Sequence, residues 1–265
     1  MKKGCSDVDE KSRETLKRLL PAIDIQILPE DEPKDEGRFP CRWCHGTGYM
    51  TVKEDGYEKK KKCPHCAAAR KIAAIVHESG VKLEDYKRYT LDSFIVRDSI
   101  SRKMKETALR YLRERPKDRG LGFFGRSGTG KTHLCIAVLM RMEEEHRYWK
   151  YRREIQKLKN AMYKEPAEYD RLIERATSAK NLYIDDFLQG GISGGVIDKQ
   201  DLQIMFDIVD TRYVNRLPTF FSSNSTMAEI NMASEPLASR IYSLITPYVV
   251  EIKPEVATNQ RYMMK

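Results

Sequence analysis

The run GRSGTGKT at Gly125 to Thr132 limits what this chain can fold into more than any other feature. It meets the spacing G-x-x-x-x-G-K-[ST] through Gly125, Gly130, Lys131 and Thr132, between the short apolar run Leu121 to Phe124 and a stretch with helical patterning. In that setting glycines let successive backbone N–H groups turn inward, a helix N-terminus adds its positive dipole, and a lysine adds a full charge. Such a cradle suits a polyphosphate. The sequence therefore predicts a loop for ATP formed by Gly125, Arg126, Ser127, Gly128, Thr129, Gly130, Lys131, Thr132 and His133. Lys131 is expected on the β and γ oxygens and the Thr132 hydroxyl on Mg²⁺. A chance glycine-rich turn before a helix is the competing reading, and the flanking strand and helix weigh against it.

Further along, Leu182 to Asp186 reads as an apolar strand ending in two carboxylates. Beside a phosphate loop, an acid at a strand edge organises magnesium together with the loop threonine, which assigns Asp185 to the metal. Asp186 is then expected to orient or activate the attacking water, and its short reach predicts slow hydrolysis. Taken alone, paired acids at a strand end are more often a solvated turn. The strand LPTFF at 217 to 221 runs into Ser222, Ser223 and Asn224, where a neighbouring parallel strand would present them beside the γ-phosphate. Asn224 is either the amide that holds the water or an Asx turn ending the strand. The segment PLASRIYSLI at 236 to 245 reads as a helix carrying Arg240, either a solvent-facing residue or a finger that reaches a neighbouring subunit's phosphate.

Apolar strand candidates at 181 to 184, 217 to 221 and 247 to 252, with another near Tyr148 to Tyr151, alternate with longer helical stretches. That alternation predicts an α/β fold with a parallel sheet covered by helices. Helices are also expected over 6 to 20, 67 to 80 and 97 to 115. The acidic, proline-bearing stretch 29 to 40 and the interval 81 to 93 read as linkers, and GGISGG at 190 to 195 as a mobile loop. The expected organisation is an N-terminal helix and linker over 1–37, a cysteine module over 38–80, a connecting segment over 81–96 and a phosphate-loop domain over 97–265.

Cys41, Cys44, Cys63 and Cys66 make C-x2-C-x18-C-x2-C, a spacing in which two tight turns deliver four thiolates to a tetrahedral ion. No stretch approaches the ~18 apolar residues of a membrane span, and the start MKKGCSDVDEKSRE lacks the apolar centre of a signal peptide. A cytoplasmic chain with no membrane partner is expected. In a reducing compartment the cysteine pattern predicts Zn²⁺ rather than disulfides. An excess of 48 Lys and Arg over 39 Asp and Glu favours polyanionic partners. The lysines at 59 to 62, with Arg42, Trp43 and Tyr49, face nucleic acid, a partner protein or solvent, and sequence does not rank these three.

Six segments then belong together: YTLDSF, GRSGTGKTH, NLYIDDF, RYVNRLPTFFSSN, ASRIYS and NQR. On these, the chain from about Tyr89 onward resembles the AAA+ helicase loaders of the DnaC/DnaI type, close to the IstB transposition ATPases. The resemblance implies a P-loop AAA+ core with a parallel sheet between helices and little or no lid, preceded by the small zinc-binding module. It implies Lys131 and Thr132 as Walker A, Asp185 and Asp186 as Walker B, Asn224 as sensor 1, Arg240 as the finger and Arg261 as sensor 2. Leu91 and Phe94 would lie near the adenine. The implied activity is ATP hydrolysis in an assembled homo-oligomer, with a replicative hexameric helicase and single-stranded DNA as partners. A transposition helper ATPase is the nearest alternative, and a P-loop kinase the alternative from another class, although no acceptor pocket is identifiable. The charged stretch 151 to 180 exceeds what a minimal core needs. It corresponds either to the insertion with which initiator-type relatives touch single-stranded DNA or to a solvated helical hairpin.

Overall fold

Residues 41, 43–54, 56–189 and 197–253 are described by the computed structural model of the chain. The helix expected over 6–20, the linker over 29–40, the glycine-rich loop at 190–195 and Arg261 lie outside the described residues. The chain divides after Ala74 into two compact units.

In the first unit, strands β1 (Tyr49–Glu54) and β2 (Tyr57–Lys62) pair antiparallel, from Tyr49 opposite Lys62 to Glu54 opposite Tyr57. Gly56 turns the chain between them at φ +83°, a left-handed conformation that a residue with a Cβ adopts at a cost. The hairpin has little apolar surface to bury, since β2 is exposed along its whole length and only Met50 and Val52 of β1 are half-buried. What it joins instead is a small cluster of Cys44, Cys63 and Cys66 with Cys41 and Met50 packed against it. Helix α1 (Ala67–Ser79) begins immediately after the last cysteine and runs across the division between the units.

The second unit is built on a five-stranded sheet. Its strands are β3 (Gly122–Gly125), β4 (Arg147–Lys150), β5 (Leu182–Asp185), β6 (Thr219–Ser223) and β7 (Val249–Ile252). They run parallel in the order β4-β5-β6-β3-β7. Strands β3, β5 and β6 are buried throughout, as expected when helices cover both faces of a sheet, with Phe123, Phe124, Leu182, Tyr183, Ile184, Phe220 and Phe221 supplying the apolar surface. Helix α3 (Ser99–Glu114) precedes β3, and the crossovers are α4 (Lys131–Met142), α5 (Tyr151–Lys164), α6 (Pro166–Thr177), α7 (Lys199–Val214), α8 (Met227–Ala233) and α9 (Glu235–Ile245). Their starts are written in the sequence. Asp98 and Ser101 form a reciprocal capping box on α3, Thr226 and Glu229 do the same on α8, and Asp198 and Ser234 cap α7 and α9. Phe124, Ile184 and Phe221 from the sheet pack with Phe187, Ile208, Leu237 and Ile241 in the main core. Among the described residues no helix follows β7, and none is long and apolar enough to cross a membrane.

Two intervals differ from expectation. The charged stretch 151–180 is an amphipathic pair, α5 and α6, and Tyr151, Ile155, Leu158 and Ala176 from its inner faces join the main core. It is therefore not solvated all round. The interval 81–93, which composition marks as a linker, contains the short helix α2 (Leu83–Arg88), anchored by the fully buried Tyr86. The Tyr86 hydroxyl meets Nε2 of the buried His146, whose Nδ1 donates to the Glu144 carbonyl at 2.8 Å.

Burial lowers the His146 pKa to about 4, against a hydrogen bond to Glu144 that works the other way. The unfolded chain, with an ordinary imidazole near 6.5, thus binds a proton that the folded chain refuses between those two values. Stability attributable to His146 is complete above about 6.5 and is lost as pH falls toward 4. Between pH 7.5 and pH 5 the loss is expected to be about 2 kcal/mol. Urea midpoints of the parent and of His146→Gln at the two pH values check this: the variant, which titrates nothing here, should lose less stability by that difference.

Candidate functional site

The carboxyl ends of β3, β5 and β6 meet at one edge of the sheet, the position where open parallel sheets place their ligands. β3 ends at Gly125, whose φ is +103° and where a Cβ would sit 2.1 Å from the Ile252 carbonyl oxygen. Only glycine fits there. The turn closes at Gly130, at φ +88°, with the Phe94 ring so close that a Cβ would stand 2.6 Å from it. Thr129 is buried in the turn, and its hydroxyl donates to the Arg126 carbonyl at 3.2 Å.

Lys131 opens α4 and is buried. Its Nζ donates to the carbonyls of Gly125 and Arg126, both at 2.7 Å, and to Oδ1 of Asn224 at 3.0 Å. The expected loop lysine and the expected amide at the end of β6 therefore touch. Thr132, the next residue, donates from Oγ1 to Oδ1 of Asp185 at 2.9 Å.

Asp185 is buried and accepts four hydroxyls. Oδ1 takes Thr132, Tyr183 at 2.6 Å and Ser222 at 2.5 Å, while Oδ2 takes Tyr148 at 2.8 Å. These donors come from α4, β5, β6 and β4, so one carboxylate draws four elements together. Burial first, and then the Asp185 charge, push the Tyr183 and Tyr148 hydroxyls well above the usual range, which keeps both protonated as donors. A carboxylate beside a threonine hydroxyl is the hard-oxygen pair that magnesium takes, so these residues fit that ion.

At Asp186 the backbone turns into the left-handed region, φ +53°, as the chain leaves β5. The Asp186 N–H reaches Ser222 Oγ at 3.3 Å, and the Phe187 N–H donates to the Ser222 carbonyl at 2.8 Å. A non-glycine residue held there by its neighbours marks stored strain of the kind found at functional sites. On the other side of the loop, Leu91 and Phe94 are buried, and Phe94 stands edge-on to His133 with centroids 5.2 Å apart. His133 Nε2 also meets the Thr90 carbonyl at 2.7 Å, and burial lowers its pKa. Segment 89–94 is thus laid over the first turn of α4. Arg240, by contrast, is engaged by α7: its Nε pairs with Asp210 at 2.6 Å and its guanidinium lies 4.9 Å from the centre of the Tyr213 ring.

No family model matches the chain. Among curated proteins it is 26% identical over 259 residues to the phage-like element PBSX protein XkdC of Bacillus subtilis, covering 91% of this chain and 94% of that one. It is 29% identical over 216 residues to the Bacillus subtilis protein YqaM, and that match takes in 76% of this chain but only 65% of its relative's length. Among solved structures, that of the DnaC helicase loader superposes with a TM-score of 0.54 at 21% identity, over 63% of this chain and 98% of that one. DnaI gives 0.55 at 21% identity, over 66% and 96%. The second unit has the AAA+ P-loop fold. The replication initiator DnaA, bound to AMPPCP and single-stranded DNA, also superposes on the AAA+ core, with a TM-score of 0.50 at 23% identity over 63% of this chain and 50% of DnaA.

Three residues of the AAA+ site escaped the sequence reading as partners of Asp185: Tyr148, Tyr183 and Ser222. Tyr183 had a signal, because it stands two positions before Asp185 on a strand and so shares its face. Tyr148 had none, since its place depends on the β4–β5 register that sets it opposite Tyr183.

The cysteines of the first unit form the other candidate site. Their four sulfurs lie within 4.8 Å of one another, with Cys41 and Cys63 at 3.9 Å and Cys44 and Cys66 at 3.7 Å. Those separations are far too long for disulfides, and they match the ~3.8 Å edge of a tetrahedron whose metal–sulfur bonds are about 2.3 Å. The set therefore fits zinc. The knuckle turn is shaped by His45 and Gly46, at φ +50° and +83°. Gly48 donates its N–H to Cys44 Sγ at 3.3 Å. Burial raises the Cys44 pKa, but the Gly48 N–H, the Cys41 and Cys66 thiols and the Gly46 N–H outweigh it and bring the thiol down to about 6. Thiolate, the form that binds metal, is favoured at neutral pH.

Proposed function

We propose that this chain is an ATP-dependent DNA replication protein that places a replicative hexameric helicase on DNA and hydrolyses ATP as an assembled homo-oligomer. The observation that carries the reading is the convergence at one sheet edge of Lys131 with Asn224 and of Thr132 with Asp185. In this reading residues 125 to 133 hold the triphosphate, and Leu91 and Phe94 flank the adenine. Mg²⁺ is held by Thr132 and Asp185 and would neutralise charge on the phosphates. A phosphate oxygen is a stronger acceptor than the neutral oxygens Lys131 bonds here, so binding exchanges an ammonium–carbonyl hydrogen bond for one between opposite charges. Asp186 and Asn224 orient the attacking water. Arg261 is kept as the sensor 2 candidate. The four cysteines hold Zn²⁺ and make a folded unit of a segment too small to build its own core.

The likeness to the DnaC loader and to DnaI supports the loader role, and that to nucleotide-bound DnaA supports ATP as the ligand. Single-stranded DNA as a partner is supported by a cleft of about 520 Å³ on the AAA+ core, lined by Lys150, Arg152, Arg153, Gln156, Lys157 and Asn160. We assign 1–37, 38–80, 81–96 and 97–265 as N-terminal segment, zinc module, connecting segment and ATPase domain, and we read the protein as cytoplasmic.

Arg240 is proposed as the finger that completes a neighbouring subunit's site, and it provides the test. Arg240→Ala is expected to keep ATP affinity within about twofold while phosphate release, measured without any acceptor, falls on the order of 10³-fold. Asp210→Ala breaks the same ion pair but keeps the guanidinium, so its turnover should survive. Equal turnover in Arg240→Ala refutes the finger, and failure to capture a hexameric helicase with ATP or without it refutes the loader role.

A further inference from the structure

The first unit leaves an unusual face open. Opposed residues of an antiparallel pair share a face, so Tyr49, Thr51 and Lys53 of β1 lie beside Lys62, Lys60 and Glu58 of β2. All six are exposed. The opposite face carries Met50, which packs on the cysteines, and Val52, and both are half-buried. The hairpin thus turns one face to the cysteine cluster and presents on the other three lysines, one acid and a tyrosine that is 53% exposed.

The knuckles add flat rings. Trp43, between the first two cysteines, and His65, between the last two, stack with centroids 4.4 Å apart and planes 16° from parallel, and Trp43 is still 51% exposed. Lysines on a short edge strand also serve to discourage strand-to-strand association, and that ordinary role would explain the charge. It does not explain exposed aromatic rings in the same small unit, which are a solubility cost unless something stacks on them.

We propose that the open face of the β1–β2 hairpin, together with the Trp43 ring, is a sequence-tolerant contact for single-stranded nucleic acid, with Lys53, Lys60 and Lys62 on phosphates and Tyr49 and Trp43 under bases. Cations interleaved with flat rings are how single strands are held without base readout, because every base has a π face and every nucleotide a charge. An acidic protein surface would satisfy the lysines and leave the rings in water. The proposal is independent of the ATPase reading and of the basic cleft on the AAA+ core.

The test uses the full zinc-loaded chain and an oligothymidylate of about 16 nucleotides. Binding should quench tryptophan fluorescence, and the quench should be lost in Trp43→Phe, which reports this ring and not the buried Trp149. Lys60→Glu with Lys62→Glu should weaken affinity by about tenfold or more. Removing two phosphate contacts from a single strand should also lower the salt slope by about 1.4, measured between about 50 and 200 mM salt. Lys60→Gln with Lys62→Gln, which only removes charge, should move both quantities in the same direction by less. Zinc content equal to the parent's establishes that each variant is folded. Binding with no Trp43 contribution and an unchanged slope overturns the proposal and locates the nucleic acid elsewhere. Loss of helicase capture with oligonucleotide affinity intact overturns it too, and makes the ribbon a protein contact.

Discussion

Lys131→Ala is expected to remove ATP binding, by a factor on the order of 10² to 10⁴ in affinity. The estimate comes from its donors. An ammonium among three oxygens is worth little while those oxygens are the neutral Gly125, Arg126 and Asn224 acceptors. Against a triphosphate each hydrogen bond joins opposite charges and contributes about 1.5–3 kcal/mol, so the loss of two amounts to about 3–6 kcal/mol. The loop backbone should keep its shape, because the Gly125 N–H donates to the Ser225 carbonyl at 3.1 Å and the Arg126 N–H to the Ile252 carbonyl at 3.2 Å, neither of which involves the lysine. Calorimetric titration with ATP and magnesium measures the effect, and Thr132→Ala separates its parts. Without the hydroxyl that bonds Asp185, nucleotide should still bind but magnesium should no longer strengthen it. An unchanged ATP affinity in Lys131→Ala would falsify the site.

Why so much of this site was legible follows from where its constraints lie. The phosphate loop and the cysteine knuckles are local: their spacing in sequence is already their geometry, because each is a tight turn with a fixed reach. The buried parallel strands were legible for a related reason, since FFG and LYI are continuous apolar runs that no surface element would carry. What failed was what long-range contact decides. Helix α2, LEDYKR, shows no amphipathic period over so short a span, and its single anchor, Tyr86, is meaningful only once His146 stands beside it. The inner face of α5, Tyr151, Ile155 and Leu158, is diluted by arginines and lysines until the fold shows which side is covered. Tyr148 reaches Asp185 across 37 residues of sequence, and Arg240 reaches Asp210 across 30. Neither partner can be inferred from a motif.

Arg212 is the sharpest instance of a residue that sequence leaves silent, and its replacement is the second large effect expected. It lies on α7 as one more charge in DTRYVNR, yet it is fully buried. Its Nε donates to Thr219 Oγ1 at 2.8 Å and Nη2 to the Pro218 carbonyl at 2.8 Å. Nη1 serves the carbonyls of Ala176, Thr177 and Ala179 at 2.9, 3.2 and 2.7 Å. Ala176 and Thr177 end α6, so the guanidinium satisfies carbonyls that the helix itself leaves open and sits at the negative end of its dipole. Burial lowers its pKa to about 9, so it remains charged at neutral pH. One side chain therefore ties α7 to the end of α6 and to the entry of β6. Arg212→Met keeps much of the volume but strands those carbonyls, and is expected to cost about 3–5 kcal/mol. For a unit of this size that lowers the melting temperature by roughly 6–20 °C, read by circular dichroism on the full chain. Arg212→Lys returns the charge without the planar fork and should recover less than half of the loss. A melting point for Arg212→Met within about 2 °C of the parent would show that the carbonyls find other partners. Because β6 runs from Thr219 through the Ser222 that meets Asp185 and leads directly into the Asn224 that meets Lys131, ATP turnover should fall in Arg212→Met even at temperatures where the chain stays folded.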